Sequence, residues 1–252
     1  LLDGGCHIQQ MAGVAEELGM PALAVTDHGN LFGALAHYQS CVDAGIKPIL
    51  GCEVYVAIGS RHERVAARGL QHASNHLVLL ARNETGWRNL MRLVSKGYTE
   101  GFYYNPRIDK ELLRENSEGL VCLSGCVSGE IAHLIQQEGL AEAEAAAREY
   151  MEIFGDDYYL EIQRHGIDIE EKVNDGILRL HAKLGVPLVA SNDFHFLKKE
   201  DHAAHDALIC IQTGKMIADP PSQRMCYPQG LYMKSPDEMK ELFADLPEAI
   251  EN

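Results

Sequence analysis

The sequence predicts an α/β barrel, a sheet whose strands alternate with helices and whose strand ends converge on one site. Three observations predict it. Apolar runs alternate with stretches of helical periodicity along the whole chain. Five of those runs each carry an imidazole, carboxylate or thiol near one end. The length of 252 residues, with 46% hydrophobic content, suits one large domain, and (β/α) barrels commonly reach that size as a single unit. An open sheet would spread five such ends apart, whereas a closed or nearly closed barrel gathers them.

Each element follows in order. Ile8, Met11, Val14 and Leu18 form a helical stripe, stopped by Gly19 with Pro21 just beyond. The run 22–26 reads as a strand and leads into Asp27-His28. Leu31, Leu35, Tyr38 and Val42 make a second stripe, closed by Gly45, and the strand 49–57 carries Glu53. Residues 59–74 are polar, hold Arg61, Arg64 and Arg68, and read as a long loop. Asn75-His76 opens the strand 76–81. Trp87, Leu90, Met91 and Val94 form the next helix, ending near Gly97, and the strand 120–124 leads into Gly125-Cys126. The Ala- and Glu-rich stretch 140–154 is a strong helix by propensity. After the strand 158–163, Val173, Ile177, Leu180 and Leu184 mark a helix closed by Gly185. The strand 187–191 then delivers Asp193-Phe194-His195. Alternation of this kind implies a parallel sheet covered by helices, with a further strand before Leu1. Residues 215–230, with Pro220, Pro221 and Pro228, look like an exit from the domain.

Composition narrows the function. No run approaches the roughly 18 apolar residues of a membrane span, and no secretory signal is visible. A net charge of −15, from 37 acidic and 22 basic residues, argues against autonomous nucleic-acid binding through a broad basic face. Bound divalent cations would reverse the local field of an acidic cleft, so a nucleic-acid substrate stays open. The seven cysteines form no CxxC pair and read as reduced thiols of a cytoplasmic protein. The chain starts at Leu1 without an initiator Met and reads as a fragment of something longer.

Asp3, His28, Glu53, His76, Cys126, Asp193 and His195 are the candidate metal-binding residues. Imidazole and thiolate favour zinc or other late divalent metals, and carboxylates bridge ions. Seven donors exceed the four of one tetrahedral ion, so the set implies at least two metals, an arrangement suited to phosphoester hydrolysis. Singly, each residue has a plainer reading. A lone His28 or His76 more often lies on the surface or caps a helix, Cys126 alone reads as a buried structural thiol, and Asp27 reads as a cap for the helix after Asn30. His202 and His205, flanked by acids, read as a solvated helix face; His7, His37, His62, His72, His133 and His181 carry no functional reading. Asp193-x-His195 stands unaided.

The segments Leu-Leu-Asp3-Gly, Thr-Asp-His28-Gly-Asn-Leu-Phe-Gly, Gly-Cys-Glu53-Val-Tyr-Val-Ala, His76-Leu-Val-Leu-Leu-Ala, Leu-Ser-Gly-Cys126 and Ser-Asn-Asp193-Phe-His195 resemble the PHP (polymerase and histidinol phosphatase) domain family. Gly101-Phe-Tyr-Tyr-Asn-Pro-Arg107-Ile-Asp, Trp87-Arg-Asn-Leu-Met-Arg-Leu-Val-Ser, Leu160-Glu-Ile-Gln-Arg-His165-Gly, Ala204-His205-Asp and Ile211-Gln-Thr-Gly214-Lys resemble the form found in alpha subunits of bacterial DNA polymerase III. The resemblance covers essentially the whole chain. It implies a distorted (β/α)7 barrel with its site at the C-terminal strand ends, over 1–214, followed by an exit segment and helix, 215–252, leading toward a polymerase core. It also implies nine ligands for up to three metals. Seven positions match the residues above, and the family's first His-x-His would precede Leu1. Cys126 stands where stand-alone phosphoesterases of the superfamily often carry His.

The first reading is therefore the N-terminal domain of a replicative DNA polymerase, with a metal site for 3′→5′ exonuclease chemistry and the nucleotidyl-transfer carboxylates beyond Asn252. Asp193 and His195 would act in catalysis, with Arg107 and His165 contacting phosphate. Its cofactors would be two or three divalent ions, zinc first, with manganese or magnesium as alternatives. Its partners would be the primer-template 3′ end, the rest of the polymerase chain, the sliding clamp and a proofreading subunit. A metal-stabilised structural module ranks second, and a histidinol-phosphatase-type phosphoesterase third.

Overall fold

A computed structural model of the chain describes residues 3–64, 74–137 and 139–252; Leu1, Leu2, Arg68 and His72, named above, lie outside them. The elements run α1 (Ile8–Glu17), β1 (Ala22–Val25), α2 (Ala34–Asp43), β2 (Lys47–Ala57), β3 (Ser74–Ala81), α3 (Glu84–Thr99), β4 (Phe102–Tyr103), β5 (Asn105–Ile108), α4 (Lys110–Glu115), β6 (Leu120–Leu123), α5 (Glu130–Gln137), α6 (Leu140–Phe154), β7 (Tyr158–Ile162), α7 (Asp168–Leu184), β8 (Leu188–Ala190), α8 (His202–Thr213), α9 (Pro236–Leu242) and α10 (Pro247–Glu251). The strands join in the order β1-β2-β3-β6-β7-β8, with β5 and β4 attached to the far half of β2.

The sheet is curled rather than flat. Asp3 lies 3.3 Å from His28, just past β1, and 3.6 Å from His195, just past β8, so the ends of the first and last strands meet at one residue. The expected α/β barrel is thus present, in distorted form.

The expectation of a parallel sheet needs correction. β1–β2, β6–β7 and β7–β8 are parallel, but β3 runs antiparallel to both β2 and β6. A parallel connection needs a crossover of a dozen or more residues, usually a helix that packs on the sheet, whereas an antiparallel one does not. The reversal explains the placement of His76 at the start of its strand. On an antiparallel strand the N-terminal end lies on the side where its neighbours end. The β4–β5 hairpin, in which Tyr103 faces Asn105, is a second feature the hydrophobic pattern did not show.

The main core lies between the sheet and α3 to α7, and holds Leu77, Leu79, Leu90, Leu120, Tyr150, Tyr158, Leu160 and Leu188. A smaller cluster under α1 and α2 holds Met11, Ala15, Leu23, Cys41 and Ile46. Helix α2 buries Ala34, His37 and Cys41, not the expected stripe, and leaves Leu35, Tyr38 and Val42 exposed. His37 fits inside because its Nε2 bonds the Leu23 carbonyl at 3.0 Å.

The segment after residue 215 is stitched back onto the sheet. His195 N bonds Leu231 O at 2.8 Å, Met233 N bonds Phe196 O at 3.1 Å, and Asn192 Nδ2 donates to Tyr232 O at 2.7 Å. Arg164 pairs with Asp245 and lies 4.8 Å from the Phe243 ring centroid, while the Asn252 side chain donates to Leu188 O. The loop carrying Asp193 and His195 is therefore held from both sides.

Leu79 is fully buried in the middle of β3. Leu79→Ala should lower unfolding free energy by about 2–5 kcal/mol in urea titrations, and a loss under about 1 kcal/mol would contradict this packing.

Candidate metal centre

Seven side chains from six segments come together at the mouth of the sheet. The ladder between β1 and β2 continues past Val25 as a backbone bridge between His28 and Glu53, with Gly29 N on Glu53 O and Glu53 N on Asp27 O. That continuation fixes the His28 ring beside the Glu53 carboxylate. Asp27 itself accepts from Gly33 N at the head of α2, the capping role expected of it. On the other edge of Glu53, β3 brings His76 Nδ1 to 2.5 Å from Glu53 Oε1. The loop after β6 folds over His76, whose N bonds Ser128 O, and holds Cys126 Sγ 3.8 Å from both Glu53 Oε1 and His76 Nδ1. Gly125, at φ +86°, is required there, since a Cβ would meet the His76 carbonyl at 2.9 Å.

Asp193 also has a positive φ, +45°, a conformation that Asp tolerates better than most residues. Its carbonyl accepts from His195 Nδ1 at 2.8 Å, which turns His195 Nε2 toward Asp3, 3.6 Å from Oδ2. The cleft so formed has a volume of about 660 Å³, and its walls include Asp3, His28, Glu53, Cys126, Asp193 and His195.

The electrostatics show how tightly the carboxylates depend on the imidazoles. Burial alone would raise Asp3, but contacts with His195 and His28 outweigh it and hold the carboxyl far below its ordinary range. Burial alone would likewise lower His28 and His195, yet Asp3 and the neighbouring carboxylates push each up to about 9. Burial and the charge of Glu53 raise Asp193, and burial together with Glu53 keeps the Cys126 thiol well above its usual value.

The donor set fits divalent cations. Among the described residues, Asp3, His28 and His195 form one close group, and His28, Glu53 and His76 another. His28 Nδ1 is buried without a hydrogen-bond partner and stands 3.7 Å from Glu53 Oε2. Two donors about 2.1 Å from one tetrahedral ion lie roughly 3.4 Å apart, close to that separation.

Two residues expected to touch phosphate sit elsewhere. Arg107 is only 3% exposed, its Nε donates to Gly101 O and its Nη2 to the carbonyls of Arg61 and Glu63, and it does not line the cleft. His165 is held by Glu170 on Nδ1 and by the Asn192 carbonyl on Nε2, so it fixes the backbone just before Asp193. His205 also departs from its solvated reading: it is 3% exposed, its Nε2 bonds the Asp3 carbonyl at 2.5 Å, and its ring packs on Phe196 and Tyr227.

Two further residues escaped the sequence reading. Tyr227 donates to Asp3 Oδ2 at 2.7 Å from within a polar, proline-rich stretch that carries no periodic signal. Glu161 lines the cleft, accepts from Gly125 N and Gln163 Nε2 as well as from the Ser191 hydroxyl, and is raised to about 7 by burial. A glutamate inside an apolar strand was its visible signal.

The chain is similar to known proteins in sequence and in fold. The sequence profile of the PHP domain matches residues 1–165. The DNA polymerase III subunit alpha of Treponema pallidum is 46% identical over all of this chain, which covers 22% of that protein. The subunit of the same name from Thermus aquaticus is 45% identical over 99% of the chain and 20% of its own length. The chain thus spans about a fifth of these relatives. Among solved structures, an amidohydrolase from Chromobacterium violaceum, with bound sulfate and no metal, aligns at 14% identity and TM-score 0.49 over 77% of this chain and 84% of that one.

In chelator-treated protein, His28 and His195 are raised from 6.5 to about 9, so their contribution to stability is complete below pH 6.5 and is lost as pH rises through about 9. Melting temperature should fall across that window, and the His28→Gln, His195→Gln double variant should flatten the slope. An unchanged slope in the double variant would refute this assignment.

Proposed function

The chain belongs to the PHP domain family, and on that premise we propose that its cleft binds two or three divalent ions, zinc first, and hydrolyses phosphoesters at the 3′ end of DNA. The observation that carries this reading is the gathering of Asp3, His28, Glu53, His76, Cys126, Asp193 and His195 around one cleft, with His28 Nδ1 buried and unpartnered. Bound ions supply Lewis acidity that acidifies water and neutralises phosphate charge. The chain's own residues do the remaining work. Asp3 and Glu53, each between two imidazoles, hold the donor groups in register. The Asp193 carbonyl sets the tautomer and direction of His195, and Tyr227 with His205 fixes the rotamer and backbone of Asp3. Glu53 and His205 are buried and Asp3 and His28 half-buried, so bulk water screens these contacts less than it would at the surface.

By similarity to the alpha subunits, the domain works within a replicative DNA polymerase of the cytoplasm, whose nucleotidyl-transfer site lies outside this chain. We propose for it a primer-template substrate and contacts with the rest of the polymerase, the sliding clamp and a proofreading subunit. Residues 215–252 would link the barrel to the polymerase core. Among the described residues no helix is long and apolar enough to cross a membrane.

The deciding experiment combines elemental analysis of the full-length protein with release of nucleotides from a 3′-mismatched primer-template. Two or three bound metals are expected, and Asp193→Ala should cut release at least about a hundredfold, the upper range for groups that orient metal ligands. Metals bound without release would instead establish a structural centre. Metal removal should also lower the melting temperature, since a ligand at a hundred times its Kd stabilises by about 2.7 kcal/mol.

A further inference from the structure

An exposed aromatic hairpin stands beside the cleft, and nothing in the metal chemistry uses it. Tyr104 forms the one-residue turn between β4 and β5, is 82% exposed, and has a φ of +61°, a conformation that costs a bulky side chain energy. Strain at an exposed aromatic is not explained by packing. Two residues further on, Pro106 packs over Gly29: a Cβ on that glycine would meet Pro106 Cγ at 2.8 Å and Tyr55 Cε2 at 2.9 Å. Gly29 follows His28 directly, and Tyr55 stacks on His28 and meets His76 edge-on. The hairpin therefore borders the metal cleft within a few residues of two of its imidazoles.

The Tyr104 ring is also held. It sits edge-on to Tyr103 with centroids 4.7 Å apart, and the guanidinium carbon of Arg107 lies 5.1 Å from the Tyr103 centroid. Arg107 is itself anchored by the carbonyls of Gly101, Arg61 and Glu63. Close packing of Gly101 on the Arg107 backbone, where a Cβ would fall 1.8 Å from the carbonyl oxygen, fixes the hairpin base. A buried cation thus supports one tyrosine, which supports a second in water. Arg61, whose carbonyl accepts from Arg107, pairs with Glu100 and Asp109, so the hairpin base is held by charge as well as by packing.

We propose that Tyr104 is a stacking platform for a nucleobase of single-stranded DNA entering the cleft, with Arg107 as the positioning residue that holds it through Tyr103. This rests on the phosphoesterase reading and specifies its substrate: a frayed polynucleotide end rather than a small phosphate ester. A rigid exposed ring next to a phosphate-directed cleft is the arrangement that grips any base through its π face, and stacking of this kind needs no base-specific hydrogen bond. A protein segment resting on Tyr104 is the competing occupant, but it would not account for the packing of the hairpin against Gly29, directly beside His28.

The test uses full-length protein and two probes. Binding of 5′-fluorescein-labelled decathymidylate is measured by anisotropy in Ca²⁺, and hydrolysis of methyl p-nitrophenyl phosphate, a diester without a base, is measured in Mn²⁺. Tyr104→Asn removes the ring while suiting the left-handed backbone. It should weaken oligonucleotide binding by at least about fivefold, with Tyr104→Phe within about twofold of wild type, and neither should change diester hydrolysis. Wild type binding no tighter than Tyr104→Asn would overturn the proposal, and a lower melting temperature of Tyr104→Asn would then point to a protein contact instead. If wild type hydrolyses neither ester nor oligonucleotide yet still binds at least fivefold tighter than Tyr104→Asn, the platform stands and the phosphoesterase reading fails.

Discussion

Three carboxylates, Asp3, Glu53 and Asp193, are held close together at the end of a curled sheet, and the rest of the structure is arranged around making that tolerable. Two like charges 4 Å apart near a protein surface repel by about 4 kcal/mol at an effective dielectric of 20, so such a cluster needs positive partners or protons. The chain supplies imidazoles: His28 and His195 flank Asp3, and His28 and His76 flank Glu53. For Asp193, burial and the charge of Glu53 outweigh the nearby His195, His165 and His28 and push it toward its protonated form. Protons answer the repulsion when cations are absent, and divalent ions would answer it more fully.

The sheet architecture serves the same end. Parallel strands alone would place every run's C-terminal end at the cleft, and the reversed β3 contributes its N-terminal His76 to the same face. Reversal also lets β3 sit between β2 and β6, so Glu53 and the Cys126 loop approach His76 from either side. Curling then brings the ends of β1 and β8 to Asp3. The parts of the chain outside the sheet stiffen this arrangement. Segment 227–234 bonds to Asp3 and along residues 192–196, and His205 anchors the Asp3 backbone.

Arg107 shows how burial reassigns a residue. A lone arginine near a phosphate-directed cleft suggests an anion contact, but its donors face carbonyl oxygens and its plane lies by Tyr103. In that environment it organises a hairpin whose exposed Tyr104 lies closer to solvent than any metal donor. The guanidinium can do this because it stays charged when partly desolvated and offers donors in a fixed plane.

What the sequence determined by itself was local. Strand and helix positions such as 49–57, 140–154 and the helix closed by Gly185 follow from apolar periodicity and stop signals, and the candidate donors were visible because they sit at the ends of apolar runs. Six of them line one cleft, and the seventh, His76, stands against Glu53 at its wall. Tertiary structure decided whatever depends on contacts between distant segments. The direction of β3, the burial of His37 rather than Tyr38 on α2, the inward turn of His205 and the reach of Tyr227 to Asp3, over more than two hundred residues, have no local signature. The reason is physical: periodicity reports which residues avoid water, whereas orientation, pairing and electrostatic partnership arise only when separate segments are brought to within a few ångströms.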